Sequence, residues 1–148
     1  MALPPLQTTS PLSNALRHRA ELLDTMYALQ RVLAVPATQP DWATVVGVRL
    51  RALQSAFAEH VQLTEGSDGL YAELLEHAPR LAYRVGRLVR DHDALASNIE
   101  ALCSRTGSAA PDELRGRSAN LLRELFRHRQ RGADLVYDAY STDIGGET

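Results

Sequence analysis

The sequence carries four amphipathic segments in which apolar residues recur at intervals built from three and four positions. This spacing places the recurring side chains on one face of an α-helix, as in a helical bundle. The recurring residues are Ala15, His18, Leu22, Met26, Leu29 and Leu33; Val46, Leu50, Leu53, Phe57 and His60; Leu81, Val85, Leu88, His92, Leu95, Ile99 and Leu102; and Leu114, Leu121, Leu125, His128 and Leu135. No segment shows the sustained alternation of a strand. The pattern therefore predicts an all-α protein, an up-down-up-down four-helix bundle with an extended N-terminal arm.

Residues that start and stop helices divide the chain into segments. The first helix is expected to start near Ser10 or Ser13, and Ser10 followed by proline is typical of a helix N-terminus; Asp41 is expected to cap the second helix. The stretches VPATQPD and SRTGSAAPD contain the prolines and glycine expected of interhelical loops. These signals predict a flexible arm over residues 1–9, a bundle over residues 10–141 and a tail over residues 142–148.

Length and composition narrow the class of protein. The chain has 148 residues, which suits one domain with a packed core. Its formal net charge is −2, which argues against a nucleic-acid partner bound by charge. No apolar run approaches the ~18 residues of a membrane span, and the first residues do not resemble a signal peptide. Cys103 is the only cysteine, so a disulfide framework is excluded. We expect a cytoplasmic protein without a nucleic-acid or membrane partner; its oligomeric state is left open.

One histidine lies in each of the four apolar stripes, namely His18, His60, His92 and His128. In an antiparallel hairpin, two residues lie level when the loop falls midway between them. The midpoints of consecutive histidines are residues 39, 76 and 110, and each falls in or beside a loop signal. The sequence therefore predicts that four imidazoles converge at one level of the core, where they suit a first-row transition metal. Each histidine alone could instead be a hydrogen-bonded packing residue, but the stripes do not supply partners for four.

The stretch TEGSDGL after His60 has two explanations. If it formed the hairpin turn, His60 would lie level with His77, and His92 would lie roughly 22 Å further along the next helix. The histidines would then split into two sets. We therefore place the hairpin turn at His77-Ala78-Pro79, with His77 exposed and outside the site. TEGSDGL is then an irregular turn within the second arm of the bundle, either a simple kink or part of a functional site.

With these residues in place, the chain resembles the hemerythrin-like, or HHE cation-binding, proteins. The matching residues are His18, then His60 with Glu65, then Asp91 with His92, then His128. The resemblance covers roughly residues 12–140, and the segment HRQRGADLVYDAYSTDIGGE is similar to the C-terminal part of actinobacterial members. It implies a four-helix bundle that holds a non-haem di-iron centre on histidine and carboxylate ligands.

The chain departs from the family pattern at the carboxylate positions. The family's acid falls four residues after the second-helix histidine, where this chain has Thr64, with Glu65 next to it. The corresponding positions after the fourth-helix histidine are Gly132 and Ala133, which are not ligands. The third helix has no second histidine one turn from the first. One bridging carboxylate of a standard di-iron site is therefore missing or replaced.

Glu65 is the first choice of carboxylate, and Glu124 and Glu21 are second choices because each lies about one turn from a stripe histidine. The predicted metal ligands are His18, His60, Glu65, His92, His128 and Glu124. Trp42 and the tyrosines are expected to be packing residues; a tyrosinate ligand is left open as an alternative, although no tyrosine is expected at the level of the histidines. No catalytic residue is assigned, and no cofactor beyond the metal is indicated.

The resemblance implies a non-haem iron protein, most simply di-iron, that binds or reacts with dioxygen, peroxide or nitric oxide in sensing, storage or slow peroxide breakdown. Because carboxylates are missing, the alternative is a degenerate bundle that serves as a binding or regulatory module with a single zinc ion or no metal. A third possibility is a structural helical protein whose histidines pack in the core.

Overall fold

The computed structural model describes residues 10–145, with side chains described from residue 10 to residue 141. These residues form five α-helices and one 3₁₀ turn, and they contain no strand. The helices are α1 (Pro11–Leu33), α2 (Trp42–Glu65), α3 (Leu70–His77), α4 (Ala82–Arg105) and α5 (Pro111–Gly145), and the 3₁₀ turn spans Pro79–Leu81. The long helices pack as α1 on α2, α2 on α4, α4 on α5 and α5 on α1. The prediction of an all-α protein with four packed helices is confirmed.

The two ends of the chain are described only in part. The predicted arm over residues 1–9 lies outside the described residues. Of the predicted tail, residues 142–145 belong to the last turns of α5, and residues 146–148 lie outside. Within the described part, none of the helices is both long enough and apolar enough to cross a membrane.

Local sequence sets the start of the first two helices. The Ser10 hydroxyl accepts a hydrogen bond from the Ser13 backbone N–H at 3.1 Å, and the following proline occupies the first helical position, where an N–H is not needed. Asp41 stands at the N-cap of α2, but its φ is 60° and its side chain makes no capping bond, so its predicted capping role is wrong. The indole N–H of Trp42 instead donates to the Val32 carbonyl oxygen at 3.0 Å, which ties α2 to the end of α1.

The apolar residues predicted to face the core from α2, α4, α5 and the 3₁₀ turn are all buried. They belong to two clusters, of which one contains Phe57 and the other contains Tyr71. The ring of His92 contacts both, with centroid distances of 5.6 Å to Phe57 and 5.8 Å to Tyr71. A layer of polar side chains therefore lies between the two apolar clusters, deep inside the helical core.

Candidate metal centre

Three of the five histidines meet in this layer. One ring nitrogen from each of His60, His92 and His128 lies within 4.8 Å of the other two. His92 and His128 are almost fully buried, with exposed fractions of 1% and 4%, and their Nε2 atoms are 3.0 Å apart. The Nε2 atom of His60 is buried and has no hydrogen-bond partner among the described residues. The predicted convergence of imidazoles therefore holds for three histidines of the four.

Each of the two most deeply buried imidazoles has a carboxylate at its other nitrogen. Glu65 Oε2 lies 2.5 Å from His92 Nδ1, and Asp91 Oδ2 lies 3.2 Å from His128 Nδ1. Arg131 also donates to Asp91, at 3.1 Å, and helps to fix that carboxylate. A carboxylate at Nδ1 holds the imidazole proton there and leaves a lone pair on Nε2. The two lone pairs then face each other across 3.0 Å, an arrangement that a cation between them would stabilise.

The separation of two of these nitrogens fits ligands of one metal ion. Two imidazole nitrogens that are each about 2.1 Å from one ion lie about 3.0–3.4 Å apart when the angle between them is about 90–110°. The 3.0 Å between the Nε2 atoms of His92 and His128 falls at the lower end of that range. No carboxylate oxygen of the described residues belongs to the group. The donor set is therefore three imidazoles, which suit iron, zinc, copper or nickel.

Burial keeps these imidazoles in the neutral form. It lowers the pKa of His60 to about 3, and the charges of the neighbouring imidazoles and of Arg19 add to the effect. Burial also lowers the pKa of His128 to about 4, and a nearby aspartate opposes only part of that shift. The pKa of His92 is lowered by burial as well, against its hydrogen bond to a glutamate. At pH 7 all three are therefore neutral, which is the form that binds a metal.

Tyr71 lies at the level of the histidines, where no tyrosine was expected from the sequence. Its ring is nearly parallel to that of His92, at 17°, and its hydroxyl oxygen lies 3.4 Å from His92 Nε2. Burial raises the pKa of the Tyr71 phenol, so the group stays protonated at neutral pH and can donate a hydrogen bond. Phe57 closes another side, with edge contacts to His92 and His128. Two aromatic rings therefore wall the site.

The TEGSDGL stretch forms the predicted turn within the second arm. α2 ends at Glu65, and α3 begins five residues later. The turn is so tight that a Cβ on Gly69 would lie 2.8 Å from two backbone carbonyl oxygens, and a Cβ on Gly66 would lie 2.9 Å from another. Only glycine fits at these positions without a shift of the backbone. The turn lets both Glu65 and Tyr71 contact His92, so it forms part of the site and is more than a kink.

His18 does not join the buried histidines, which corrects the prediction of four converging imidazoles. Its side chain is 23% exposed, and its Nδ1 lies 2.9 Å from Glu21 and 3.2 Å from Glu59. Each residue of an α-helix is rotated by about 100° from the one before it. Viewed down the axis of α1, His18 therefore lies about 50° to one side of the mean direction of the four buried residues, and Arg19 lies about 50° to the other side. The apolar stripe therefore does not decide which of the two faces the interior. Arg19 is the one that lines a cavity together with His60.

The two predicted carboxylate ligands lie outside the group of three ring nitrogens. Glu65, the first choice, contacts the outer nitrogen of His92 and so helps to fix the orientation of that ring. Glu124 is exposed and accepts a hydrogen bond from an asparagine of α4 at 3.3 Å. Asp91, which the sequence places beside His92 in the family motif, contacts His128 on the neighbouring helix instead. The nitrogen that each carboxylate contacts depends on how neighbouring helices pack, so no local sequence motif identifies it.

A cavity of about 50 Å³ adjoins the histidines on the side of α1, α3 and α5. Its walls are mostly apolar side chains, and His60 and His128 are among its lining residues. Arg19 and Arg129 also line it. Because one water molecule needs about 10–15 Å³ of such space, a small molecule fits in this cavity beside His60 and His128.

No protein family, no curated protein and no solved structure matches this chain. Membership of a family is therefore not shown, and the resemblance to hemerythrin-like proteins stays a prediction from the sequence motifs. The described residues provide a buried group of three imidazole nitrogens, two of them supported by carboxylates, beside a small apolar cavity.

Proposed function

We propose that the chain is a hemerythrin-like, up-down-up-down bundle that binds one iron ion on His60, His92 and His128 and offers it to a small molecule. The observation that carries the proposal is the approach of three buried ring nitrogens to within 4.8 Å. A buried polar atom without a partner is costly, and His60 Nε2 is such an atom. A cation held by the three imidazoles would supply such a partner.

The donor set favours one ion over the di-iron centre that the resemblance implies. The group contains three nitrogens and no carboxylate oxygen among the described residues. Glu65 and Asp91 lie behind the imidazoles, where they orient the ligands and raise their basicity. A second ion would have to take these carboxylates away from the histidines that they support.

Iron fits this site best in its ferrous state. Three neutral imidazoles contribute no negative charge, so they compensate the charge of ferric iron less than a carboxylate-rich set would. The guanidinium group of Arg19, close enough to lower the pKa of His60, disfavours further positive charge. We therefore expect the reduced ion to be the resting form.

Bound iron supplies an open coordination position at which dioxygen, nitric oxide or peroxide can bind. The residues of the chain prepare that position. Glu65 and Asp91 hold protons at the Nδ1 atoms, so that the Nε2 lone pairs point inward. Phe57 and the apolar cavity walls exclude water. The Tyr71 hydroxyl, 3.4 Å from His92 Nε2, can donate a hydrogen bond to the bound molecule. These roles support binding, sensing or slow peroxide breakdown better than hydroxylation of an organic substrate.

A single zinc ion is the second candidate, because zinc also accepts three histidines with an open fourth position. The absence of any carboxylate oxygen from the donor group in residues 10–141 favours it over a di-iron centre. A zinc protein would be a binding or regulatory module without redox chemistry. Metal analysis separates the two candidates, and so does nitric oxide, because its adduct with ferrous iron absorbs visible light and zinc forms no such adduct.

Metal analysis and an absorption spectrum of the purified protein test the proposal. We expect one iron per chain and visible absorption after nitric oxide is added to the ferrous protein, with loss of the metal in the His60→Gln, His92→Gln and His128→Gln variants. His77→Gln is the matched control, because His77 is exposed at the end of α3 and packs against Tyr140 at a ring distance of 4.7 Å. Circular dichroism should show that each variant keeps its helices. Folded protein without bound metal, or iron lost in His77→Gln and retained in His60→Gln, would refute the assignment.

A further inference from the structure

Two arginines line the cavity beside the histidines without an acidic partner. Arg19 comes from α1 and Arg129 from α5, and no ion pair or hydrogen bond of either guanidinium is found among the described residues. The Nε atom of Arg129 is buried and has no hydrogen-bond partner there. Two other arginines in this region have acidic partners, since Arg131 contacts Asp91 and Arg84 contacts Asp138. Arg19 and Arg129 differ from them in having no acidic partner among the described residues.

The two positive charges are close enough to act on each other. The pKa of Arg19 is lowered, first by burial and then by the charge of Arg129. Partly buried charges usually have a partner of opposite sign, because removing a charge from water is costly. A guanidinium group has five N–H donors arranged to bind a carboxylate in a bidentate manner. Two such groups side by side form the chemical complement of a bound anion.

The rest of the cavity selects among anions. Most of its lining is apolar, including Leu12, Leu16 and Leu70, and no acidic side chain of the described residues lines it. Its volume of about 50 Å³ accommodates about four groups of the size of a water molecule. An inorganic oxyanion would satisfy the arginines but leave the leucines without contacts. A short carboxylate satisfies both.

We propose that this cavity binds a small monocarboxylate, with its carboxylate between the guanidinium groups of Arg19 and Arg129 and its alkyl part against the leucines. The proposal does not depend on a metal, since both arginines and the cavity walls belong to the protein alone. The site adjoins His60 and His128, so its occupant would lie beside the imidazole group.

Titration of the metal-free protein with propionate tests this site. Calorimetry and thermal unfolding should be done with chelator present, in chloride of constant ionic strength. We expect saturable binding of one propionate per chain, and an increase in Tm of about 3–6 °C at ten times the Kd. The neutral analogue 1-propanol should bind at least tenfold more weakly, and so should nitrate and phosphate.

Single variants show whether the arginines are responsible. Arg19→Gln and Arg129→Gln should each weaken propionate binding at least tenfold, whereas Arg127→Gln, an exposed neighbour on α5, should leave it unchanged. Because the substitution removes an unpaired charge, the Tm of the ligand-free Arg129→Gln variant should equal or exceed that of the parent. This measurement also checks that the variant is folded.

Four outcomes would overturn the proposal: no saturable binding, equal binding of propanol, equal or tighter binding of nitrate or phosphate, or unchanged binding in both arginine variants. Each is measured without metal. Failure of the anion site is therefore distinguishable from failure of the iron proposal, which is judged by metal content.

Discussion

Lowering the pH from 7 to 5 should destabilise the metal-free protein by about 4 kcal/mol through His60 and His128. Burial lowers their pKa values to about 3 and about 4 in the folded chain, whereas unfolding returns both to about 6.5. Between the folded and unfolded values, the unfolded chain binds more protons than the folded chain. The stability that comes from neutral imidazoles is therefore complete above pH 6.5 and is lost as the pH falls below it.

The magnitude follows from proton binding to the unfolded chain. Each histidine with an unfolded pKa of about 6.5 gains about 2 kcal/mol from protonation at pH 5 and about 0.2 kcal/mol at pH 7. Because both folded pKa values lie below 5, the difference depends little on how far below. Two sites give about 4 kcal/mol, a large share of the 5–15 kcal/mol typical of a domain. The lowered pKa of His92 acts in the same direction.

Urea denaturation in the presence of chelator, followed by circular dichroism at several pH values between 7 and 5, measures this loss. The double variant His60→Leu/His128→Leu removes these two titrating groups and keeps His92, so its free energy of unfolding should fall by about 4 kcal/mol less than that of the parent over the same interval. The His77→Gln control should keep the full dependence of the parent. The reasoning would be refuted if the free energy of unfolding of the parent fell by under about 1 kcal/mol between pH 7 and pH 5, or if that of the double variant fell by as much as that of the parent. Either result would show that these histidines are not buried in neutral form.

Three further outcomes are expected. Glu65→Gln should weaken metal binding about 10–100-fold in a competition titration, because the proton at His92 Nδ1 loses its carboxylate partner; an unchanged Kd would contradict the supporting role. His18→Ala should retain the full metal content of the core site, since the His18 side chain contacts two glutamates outside the group of three histidines; loss of that metal would show that His18 is one of its ligands. Gly69→Ala should lower the free energy of unfolding by roughly 1–3 kcal/mol in urea denaturation and also weaken metal binding, because the added Cβ would meet backbone oxygens at 2.8 Å; a neutral effect would mean that the turn can relax.

The helices were predictable because burial imposes a period on the sequence. In α2, the apolar residues from Val46 to Phe57 are all buried, and those of α4 and α5 behave in the same way. The loops were predictable because proline and glycine cannot be placed freely within helices. The sequence also placed a turn at His77-Ala78-Pro79, and the structure has Ala78 and the 3₁₀ turn Pro79–Leu81 between α3 and α4.

The details of the site were less predictable, because they depend on directions within a single helical turn. His18 and Arg19 lie equally far from the centre of the α1 stripe, so the hydrophobic pattern gives no reason to prefer either. Glu65 and Asp91 were visible as acids near histidines, but the nitrogen that each one contacts depends on contacts between helices. Sequence spacing along one helix carries no information about those contacts.

The break after α2 explains why this chain does not keep a continuous second helix. In an unbroken helix, Tyr71 would lie eleven residues beyond His60, roughly 16 Å along the axis. The turn with two glycines ends the helix at Glu65 and lets Tyr71, in the first turn of α3, place its hydroxyl 3.4 Å from His92 Nε2. The same turn leaves the Glu65 carboxylate 2.5 Å from the opposite nitrogen of that ring. This single break thus places the Tyr71 hydroxyl and the Glu65 carboxylate at the two nitrogens of the His92 ring. A regular helix could not do so, because residues 65 and 71 would be too far apart along its axis.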